Sequence, residues 1–575
     1  MDATTRFETA AVGALPVLSA LLDQWGLARI VDEIVPWDGD VPLGTLAELL
    51  VVNRVEKPEA MYAIGEWAQE AGVADYYGLT AEQLNDDRLG RALERLAAHA
   101  EAVQMQLTLA AVKRWRLDTS EIHYDLSNVE FFGAFAEAQA QMQAQTQTGS
   151  APDPGEGPSP ADWPAVGRPA YGHTKSGRRD VKQIQFGLNV TGDGGVPLSH
   201  QPFDGNTAEA RTHVANLRRL RRLLPHSRFL YTADTKLDTP ENLVAAVATG
   251  GQFLCGGAFT PALQERCRQV RKQLRPIDYC PPSHAKRPPE QRDRYEGFEV
   301  SEELTGTFEG RTIRSRYRLI FIHSSAKAKQ QAETRERHLD KIRAEFELVR
   351  RNLGKYSFKT DAQIRNRLEK ARGWYREGKL MQYTLTQRDG TFALQWQLDV
   401  AELKRWQQTE GIFVLKTNLS KKHWPLKAIL AKYRDQSKVE RRFHGMKGPL
   451  AVAPMFLKNP ERIAGLLFIV VLAVTLLALL ERQVRKRLQG KPIKGLYPEG
   501  RATRTPTAAR VLRKFRRLTV VIVKHHGATY RRLCELSPLQ RRLLHLLDLD
   551  TNDLRSFKRR CATGPPKLSP AGCGM

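Results

Sequence analysis

The chain has 575 residues and is too long for one compact hydrophobic core, so we expect two or three domains. Hydrophobic residues make up 41% of it, which is ordinary for a folded protein and excludes a largely disordered chain. Lys and Arg total 89 against 63 Asp and Glu, a formal net charge of +26. This excess of positive charge indicates a polyanionic partner, because counterion release from nucleic acid favours binding. Charge alone leaves a ribosome-associated or membrane-surface protein open.

The six cysteines are scattered along the chain without a Cys-x-x-Cys pair. This spacing excludes zinc-finger ligands and, in a chain of this length, argues against a disulfide framework. The first residues lack the charged-then-apolar layout of a signal peptide. We therefore expect reduced thiols in a cytosolic protein.

Residues 1–110 are predicted to form a helical module. Apolar residues recur at helical spacing in 15–23, 43–52 and 91–98. Such a module at the front of a basic chain can bind DNA ends, form a dimer or pack against the rest of the protein. No recognition-helix signature separates these roles.

A carboxylate, Asp125, lies inside the first strand-like run, 119–133. A low-complexity insertion over 134–169 follows. Two strand-like runs, 182–190 and 196–203, then flank the turn signal Asp193-Gly-Gly. A helix over 207–223 and a short buried strand over 228–233 lead directly to Asp234.

Three strands, a helix and a fourth strand form the opening of an RNase H-like (ribonuclease H-type) α/β fold. We assign residues 111–274 to the first part of this core. The first and fourth strands are neighbours in that fold. Asp125 and Asp234 are therefore expected to converge, although 109 positions separate them in the sequence.

The chain after Asp234 is much longer than that fold requires. Residues 275–400 mix strand-like runs with long charged helices, and we interpret them as an inserted α+β domain. The strands are predicted at 298–303, 312–322, 380–386 and 392–398, and the helices at 326–353 and 360–377. The apolar run 411–418 returns the chain to the core, whose second part is assigned to 401–485. Residues 486–575 are assigned to a basic, helical C-terminal segment.

Residues 463–480 form a run of 18 residues without a charge. This meets the lower length limit for a membrane-spanning helix. We favour a buried helix in a large core, because the run is solitary in a strongly basic chain. A membrane-anchored basic protein is the alternative.

A polar stripe over 431–447 contains Tyr433, Glu440 and Lys447 at intervals of seven, with Gln436 and Phe443 between them. On one helix, all five would lie along one face. A structural seam with Glu and Lys at its core positions makes little physical sense. A DNA-facing active site is consistent with these residue types, and a charged surface helix is the alternative.

These residues resemble the DDE insertion-sequence transposases that carry a Tyr-(2)-Arg-(3)-Glu-(6)-Lys signature and a β-rich insertion before the final Glu. Tyr433, Gln436, Glu440 and Lys447 match the signature spacing, with Gln436 in the position of the Arg. Four further segments are similar, and they follow in the family's order: Tyr124-Asp-Leu-Ser, 172–183, Thr232-Ala-Asp-Thr-Lys and 411–419. The similarity extends to about residue 550.

The resemblance implies a catalytic, metal-binding set of Asp125, Asp234 and Glu440. It implies two Mg²⁺ ions, with Mn²⁺ as a substitute, and DNA contacts through Tyr433, Gln436 and Lys447. It further implies double-stranded DNA as partner, both terminal inverted repeats and target DNA. A homodimer in the DNA complex and a hairpin intermediate are also implied, and no membrane is expected.

Other polar residues near the predicted strands compete with this set. Asp118 is interpreted as a cap or surface acid, Asp204 as a turn residue, and Asp238 as an acid at a helix N-terminus. The pair His525-His526 lacks a third metal ligand nearby. His173 and Lys175 are either DNA contacts or parts of a solvated loop.

The sequence thus predicts a transposase that excises and inserts an insertion sequence by metal-dependent hydrolysis and strand transfer. The alternative is an inactive DNA-binding relic of a transposase, which Gln436 in the signature's Arg position favours. Glutamine can hydrogen-bond a phosphate, but it brings neither a charge nor a guanidinium fork.

Overall fold

The computed structural model describes residues 6–131, 166–172, 181–448, 450, 457, 459–525, 528–551 and 554. The strands, numbered along the chain, are β1 (Arg6–Ala11), β2 (Glu121–Phe131), β3 (Ala170–Tyr171), β4 (Lys182–Thr191), β5 (Pro197–Phe203), β6 (Phe229–Ala233), β7 (Gly251–Gly257), β8 (Arg275–Ile277), β9 (Tyr295–Phe308), β10 (Arg311–Ser324), β11 (Met381–Arg388), β12 (Thr391–Leu398), β13 (Ile412–Thr417), β14 (Thr519–His525) and β15 (Ala528–Leu533).

The α-helices, in the same order, are α1 (Leu15–Trp25), α2 (Leu27–Ile34), α3 (Leu43–Glu56), α4 (Ile64–Glu70), α5 (Val73–Tyr77), α6 (Asp86–Ala98), α7 (Ala100–Trp115), α8 (Glu209–Leu223), α9 (Pro240–Thr249), α10 (Pro261–Val270), α11 (Ser325–Arg351), α12 (Asp361–Arg372), α13 (Val400–Gln407), α14 (Leu426–Arg434), α15 (Ser437–Lys447), α16 (Pro460–Leu488), α17 (Ala508–Leu512) and α18 (Pro538–Leu547). The chain is therefore a mixed α/β protein with a helical front region. It divides into two compact units, the first formed by 1–232, 249–251 and 435–575, and the second by 233–248 and 252–434.

The helical prediction for residues 1–110 holds for α1 to α7 but misses β1. β1 is a six-residue strand whose side chains are almost all exposed, so its sequence carries no apolar alternation. It exists because β14, more than 500 residues later, supplies the backbone hydrogen-bond partners along its whole length. A strand stabilised by so distant a partner leaves no local signal.

The centre of the first unit is α16, a 29-residue helix that is apolar around most of its circumference. By length and composition it is long enough to cross a membrane, but 94% of its most apolar window is buried inside the chain. Helices α3, α6, α7, α15 and α18 and strand β5 pack against it. The prediction of a buried core helix over 463–480 is confirmed.

Glycine permits the closest crossing of this helix. At Gly465, a Cβ atom would lie 2.2 Å from the carbonyl oxygen of Leu93 on α6. One turn before it, the Arg462 guanidinium donates from Nε to Glu94 Oε1 at 2.7 Å. The backbones of α6 and α16 therefore touch at Gly465, and an ion pair holds the helices next to this contact.

The sheet of the first unit contains the predicted strands in their predicted order. β2 lies between β4, to which it is antiparallel, and β6, to which it is parallel. β5 and β3 pair along the other edge of β4. The turn between β4 and β5 contains Gly194 and Gly195, both with positive φ, as the sequence signal predicts. The neighbouring first and fourth predicted strands are thus confirmed.

In the second unit, β7, β13, β10, β9 and β8 form an antiparallel array in that order. β9 and β10 are each 14 residues long, well beyond the predicted runs. The hairpin β11–β12 packs with α11 and α12 around its own apolar cluster, which includes Phe346 and Leu368. The strands predicted at 298–303 and 312–322 therefore lie in the same array as β13.

Replacing Gly465 with Ala should destabilise the first unit by about 1–3 kcal/mol, because the added methyl group cannot avoid the Leu93 carbonyl without separating α6 from α16. Denaturant-induced unfolding measures the change. Gly445 on α15 is the matched control, since a Cβ there meets nothing within 4 Å. Gly445→Ala should leave stability unchanged or raise it by about 0.5–1 kcal/mol. Equal stability of Gly465→Ala and wild type would contradict the close crossing.

Candidate functional site

Asp125 lies in the middle of β2, opposite Leu188 of β4. Because side chains alternate along a strand, Asp125 shares its face with Val129. Val129 belongs to the buried cluster that also contains Phe443 of α15. Asp125 is half-buried, and its Oδ1 accepts a hydrogen bond from the Leu126 amide at 2.9 Å. The carboxylate is therefore on the sheet face that α15 covers.

Glu440 lies in the first turn of α15. Val439, Phe443 and Met446 are buried and determine which side of α15 packs on the sheet, while Glu440 is exposed. The Gln436 amide donates to the Tyr124 carbonyl oxygen at 3.4 Å, and Lys447 Nζ donates to Asn128 Oδ1 at 3.5 Å. α15 thus runs along β2, and Asp125 and Glu440 lie on packed, neighbouring elements of the first unit.

The prediction that five residues lie along one helix face is wrong. The chain forms two helices, α14 ending at Arg434 and α15 beginning at Ser437, with a turn at Asp435 and Gln436. At this turn the amides of Lys438 and Val439 bond the carbonyls three residues back, which is tighter than α-helical spacing. Glu440, Phe443 and Lys447 lie on α15, Gln436 lies in the turn before it, and Tyr433 lies on α14.

Tyr433 and Asp234 both belong to the second unit. Asp234 follows β6 directly, and its Oδ1 accepts a hydrogen bond from the Lys236 amide at 2.8 Å. A Cβ at Gly256 would lie 2.9 Å from the Tyr433 hydroxyl and 2.7 Å from Thr235 Cγ2. The Tyr433 hydroxyl therefore lies beside the backbone that follows Asp234.

The register of β2 and β6 bears on the two aspartates. His123 pairs with Thr232 in the parallel ladder. Asp125 lies two residues beyond His123, and Asp234 lies two residues beyond Thr232. The two residues from Thr232 to Asp234 span about 7 Å at most, so Asp234 lies close to the end of β6. Both aspartates thus follow the same register pair by the same number of residues.

Two basic residues that the sequence reasoning missed hold α15 in place. Lys438 Nζ donates to the Gly192 carbonyl at 2.8 Å, and Arg442 donates to the carbonyls of Gly194 and Gly195, each at 2.8 Å. Arg442 also pairs with Glu481 of α16 at 3.2 Å. Burial lowers the pKa of the Arg442 guanidinium. The helix that carries Glu440 is thereby anchored to the β4–β5 turn. In the sequence, only the turn signal Asp193-Gly-Gly indicated this part of the structure.

Behind Asp125, on the opposite face of the sheet, lies a buried polar network. The Tyr124 hydroxyl donates to Thr212 Oγ1 at 3.0 Å, and His213 Nδ1 lies 3.1 Å from the Tyr231 hydroxyl. Burial raises the pKa of Tyr124 and lowers that of His213 to about 3. Both groups stay neutral at physiological pH. They hold β2 and β6 against α8.

The competing residues have structural partners. Asp118 Oδ1 accepts from the Ser120 amide at 2.9 Å, and Asp204 Oδ1 accepts from the Arg168 amide at 2.7 Å. Asp238 lies two residues before Pro240, the first residue of α9. It pairs with Lys416 at 2.6 Å and accepts from the Ala258 amide at 2.8 Å, because the chain turns after Leu237 and brings it to β13.

The remaining competing residues are the histidines and Lys175. His525 is exposed at the end of β14, whereas His173, Lys175 and His526 lie outside the described residues.

The donor set fits a hard divalent cation in its chemistry, because carboxylate oxygens are the ligands that Mg²⁺ prefers. Within the residues that the structure describes, which omit 132–165 and 173–180 among others, no group of three His, Cys, Asp or Glu side chains is close enough together to hold a metal ion. The metal-binding role of Asp125, Asp234 and Glu440 therefore stays a prediction.

Comparison with known proteins adds two findings. Residues 7–109 match the family described as a domain of unknown function, DUF4277, a span from β1 to α7. The chain is also similar to the piggyBac transposase in a cryo-EM structure of its synaptic complex with hairpin DNA. The TM-score is 0.36 at 7% sequence identity, over 87% of this chain and 79% of that chain. No curated protein matches the chain. All six predicted site residues lie outside the family match.

Replacing Arg442 with Ala should lower the free energy of unfolding by about 2–4 kcal/mol, because two carbonyls and the Glu481 carboxylate lose a buried partner. Chemical denaturation measures this. Arg441→Ala is the matched control, since Arg441 is exposed and donates a weak 3.4 Å bond to the Ser437 carbonyl. The control should change stability by less than about 0.5 kcal/mol. Equal effects of the two variants would show that Arg442 does not anchor α15.

Proposed function

We propose that this chain is a DNA transposase of the DDE type, with an RNase H-like core in which Asp125, Asp234 and Glu440 bind metal ions. The observation that supports the proposal is the packing of α15, which carries Glu440, along β2, which carries Asp125. Asp125 and Asp234 each lie two residues beyond the paired residues His123 and Thr232. This equal spacing supports Asp234 as the remaining metal ligand.

The three carboxylates suit phosphoryl transfer without a covalent protein intermediate. Two bound divalent cations would activate the attacking oxygen and stabilise the leaving oxygen during in-line displacement at phosphorus. The protein has to hold the phosphate in line, which is the role proposed for the Tyr433 hydroxyl, the Gln436 amide and the Lys447 ammonium. Mg²⁺ is the proposed cofactor, two ions at a time, and Mn²⁺ should substitute for it.

The partner that this chemistry requires is double-stranded DNA. The net charge of +26 supplies the sequence-independent part of the affinity. We propose that terminal inverted repeats are cut first and that the freed 3′-hydroxyl then attacks target DNA in a cut-and-paste reaction. A homodimer that joins two ends, a DNA hairpin intermediate and a nucleoid-associated location in the cytoplasm belong to the same proposal.

The first test is cleavage of DNA that carries the element's own ends, with Mg²⁺ or Mn²⁺. Glu440→Gln and Asp125→Asn should each reduce cleavage by at least about a thousandfold, because loss of a metal ligand removes several kcal/mol of transition-state stabilisation. Binding of the ends should persist. Glu499→Gln is the matched control, an exposed acid on the same unit that loses the same charge, and it should cut as wild type does. Cleavage by Glu440→Gln at the wild-type rate would show that the third carboxylate is misplaced.

A second candidate function is an inactive DNA-binding relic, and Gln436 is the observation that favours it. The amide donates to the Tyr124 carbonyl and carries no charge for a phosphate. Arg434 does not replace it, because its Nη2 donates to the Tyr295 hydroxyl at 3.1 Å. A wild-type protein that binds the ends but never cuts them with either metal would establish the relic.

Gln436→Arg should tighten binding to the element's ends by about tenfold, because a charged fork to phosphate is roughly twice as strong as a neutral hydrogen bond. Fluorescence anisotropy with duplex ends measures the affinity. Gln69→Arg, on the exposed side of α4, adds the same charge away from the site and should give a much smaller gain. An equal gain in both variants would mean that charge alone, not position 436, explains the tightening.

A further inference from the structure

The sheet that joins the two ends of the chain has one buried and one exposed face. β14 lies between β1 and β15, and all three strands are antiparallel. Val520, Ile522 and Leu533 point into the core of the first unit. Because side chains alternate along strands, the odd-numbered residues of β1 and β14 point the other way, to solvent. We call this outward side the terminal face.

Two aromatic side chains lie on the terminal face in one cross-strand row. Phe7 of β1 pairs with Val523 of β14, and Val523 pairs with Tyr530 of β15. Phe7 is 72% exposed and Tyr530 is 63% exposed, while Val523 between them is half-buried. The two rings are two strand spacings apart, about 10 Å, with a small apolar side chain as the floor.

The charge of the terminal face is positive. Arg532 lies two residues beyond Tyr530 on the same side, and His525 ends the neighbouring strand. The other side chains in these rows are uncharged: Thr9, Ala11, Thr519, Val521 and Cys534. Immediately before β14, residues 485–517 contain twelve Lys and Arg and a single acid, Glu499. The terminal face therefore carries the positive side chain Arg532, and the segment that leads into β14 is strongly basic, which favours a polyanion.

We propose that the terminal face binds unpaired nucleotides of DNA, with bases stacked on Phe7 and Tyr530. A flat sheet that carries exposed aromatic rings and nearby cations is the general solution for single-stranded nucleic acid, since every base offers a π-face. Arg532 is placed to contact a phosphate of the same strand. The bases of a paired duplex are stacked inside the double helix. A duplex would therefore gain the electrostatic attraction but not the stacking on the two rings.

The charge argues for nucleotides over a second copy of the chain. Two copies that met through this face would bring together two Arg532 side chains and two chains of net charge +26. A nucleic-acid strand instead matches both features of the face, the rings and the positive charge. The site is built from both ends of the chain, because β1 falls inside the DUF4277 match and β14 and β15 lie outside it.

The experiment compares a labelled oligothymidylate with a duplex of equal length by fluorescence anisotropy, using the full chain without divalent metal. Phe7→Ala and Tyr530→Ala should each weaken single-strand binding by about tenfold and leave duplex binding within about twofold. The salt dependence should not change, because a neutral ring releases no counterion. Arg532→Ala should instead weaken binding of both DNAs and reduce the salt slope by about one.

Tyr62→Ala is the matched control, because Tyr62 is 81% exposed on the same unit but outside the sheet. It should bind both DNAs as wild type does. Unfolding midpoints should be equal in all variants, since neither ring is buried. Single-strand binding by the Phe7→Ala, Tyr530→Ala double variant at wild-type strength would overturn the proposal. So would a wild-type dimer that the double variant loses while it still binds both DNAs.

The outcome is distinguishable from that of the proposed function. Glu440→Gln should bind oligothymidylate as wild type does, because Glu440 lies on α15 and not on the terminal sheet. A chain that never cuts DNA can still bind unpaired bases on Phe7 and Tyr530. A Phe7→Ala, Tyr530→Ala variant that cuts normally and still binds oligothymidylate as wild type does would retain the enzyme assignment and overturn the terminal-face proposal.

Discussion

The first unit depends on the burial of α16. A helix that is apolar on nearly every side has no face to turn to water, so other elements must cover its whole circumference. α3, α6 and α7 come from the front of the chain, β5 from the sheet, and α15 and α18 from the C-terminal part. Burial of apolar surface stabilises by about 25 cal/mol per Å², so this cover contributes strongly to the stability of the unit.

The need to cover α16 also positions α15, the helix that carries Glu440. His200 of β5 stacks on Phe468 of α16 with ring centroids 5.4 Å apart, so the sheet is held against the helix. α15 then occupies the remaining space between β2 and α16, with Phe443 buried beneath it. Glu440 is exposed because its neighbours on α15 are needed for packing. α15, which carries Glu440, lies along β2 as a consequence of how the apolar helix is covered.

Polar contacts then determine the direction of α15. A helix held by three apolar side chains can rotate or slide, whereas carbonyl acceptors at fixed places admit only one register. Lys438 and Arg442 bind the carbonyls of the β4–β5 turn, and Arg482 of α16 binds Asp193 in the same turn, with Nε to Oδ2 at 2.8 Å. Arg482 also donates to the Trp115 carbonyl at the end of α7. One short turn therefore joins the sheet, α15, α16 and α7.

The two ends of the chain meet in the terminal sheet, and this is why the front module is not a separate helical body. β1 is hydrogen-bonded to β14, and the Val12 amide bonds the Leu518 carbonyl at 2.9 Å just beyond the strand. The helices α1 to α7 pack in the same apolar cluster as α16. The helical front is thus part of the core that supports the site, whatever further contacts it makes.

The sequence alone determined many of the elements whose signal is local, although residues 486–575, assigned to a helical segment, also contain β14 and β15. The strand that carries Asp125, the turn Asp193-Gly-Gly, α8, β6 and the apolar helix over 463–480 follow from periodicity, turn residues and length, because those features act within a few residues of chain. The candidate carboxylates were also named from the sequence, by spacing and resemblance. Their assembly as a metal site remains a prediction.

Only the tertiary structure decided the rest. The break between α14 and α15 was invisible, since Asp435 and Gln436 are ordinary helix residues and the turn forms where α15 has to meet β2. β1 was invisible because its partner lies at the other end of the chain. The anchoring role of Arg442 was invisible because a basic residue in a basic stripe resembles a DNA contact until its acceptor carbonyls are known. In each case the deciding interaction joins residues far apart in sequence, and no local pattern records it.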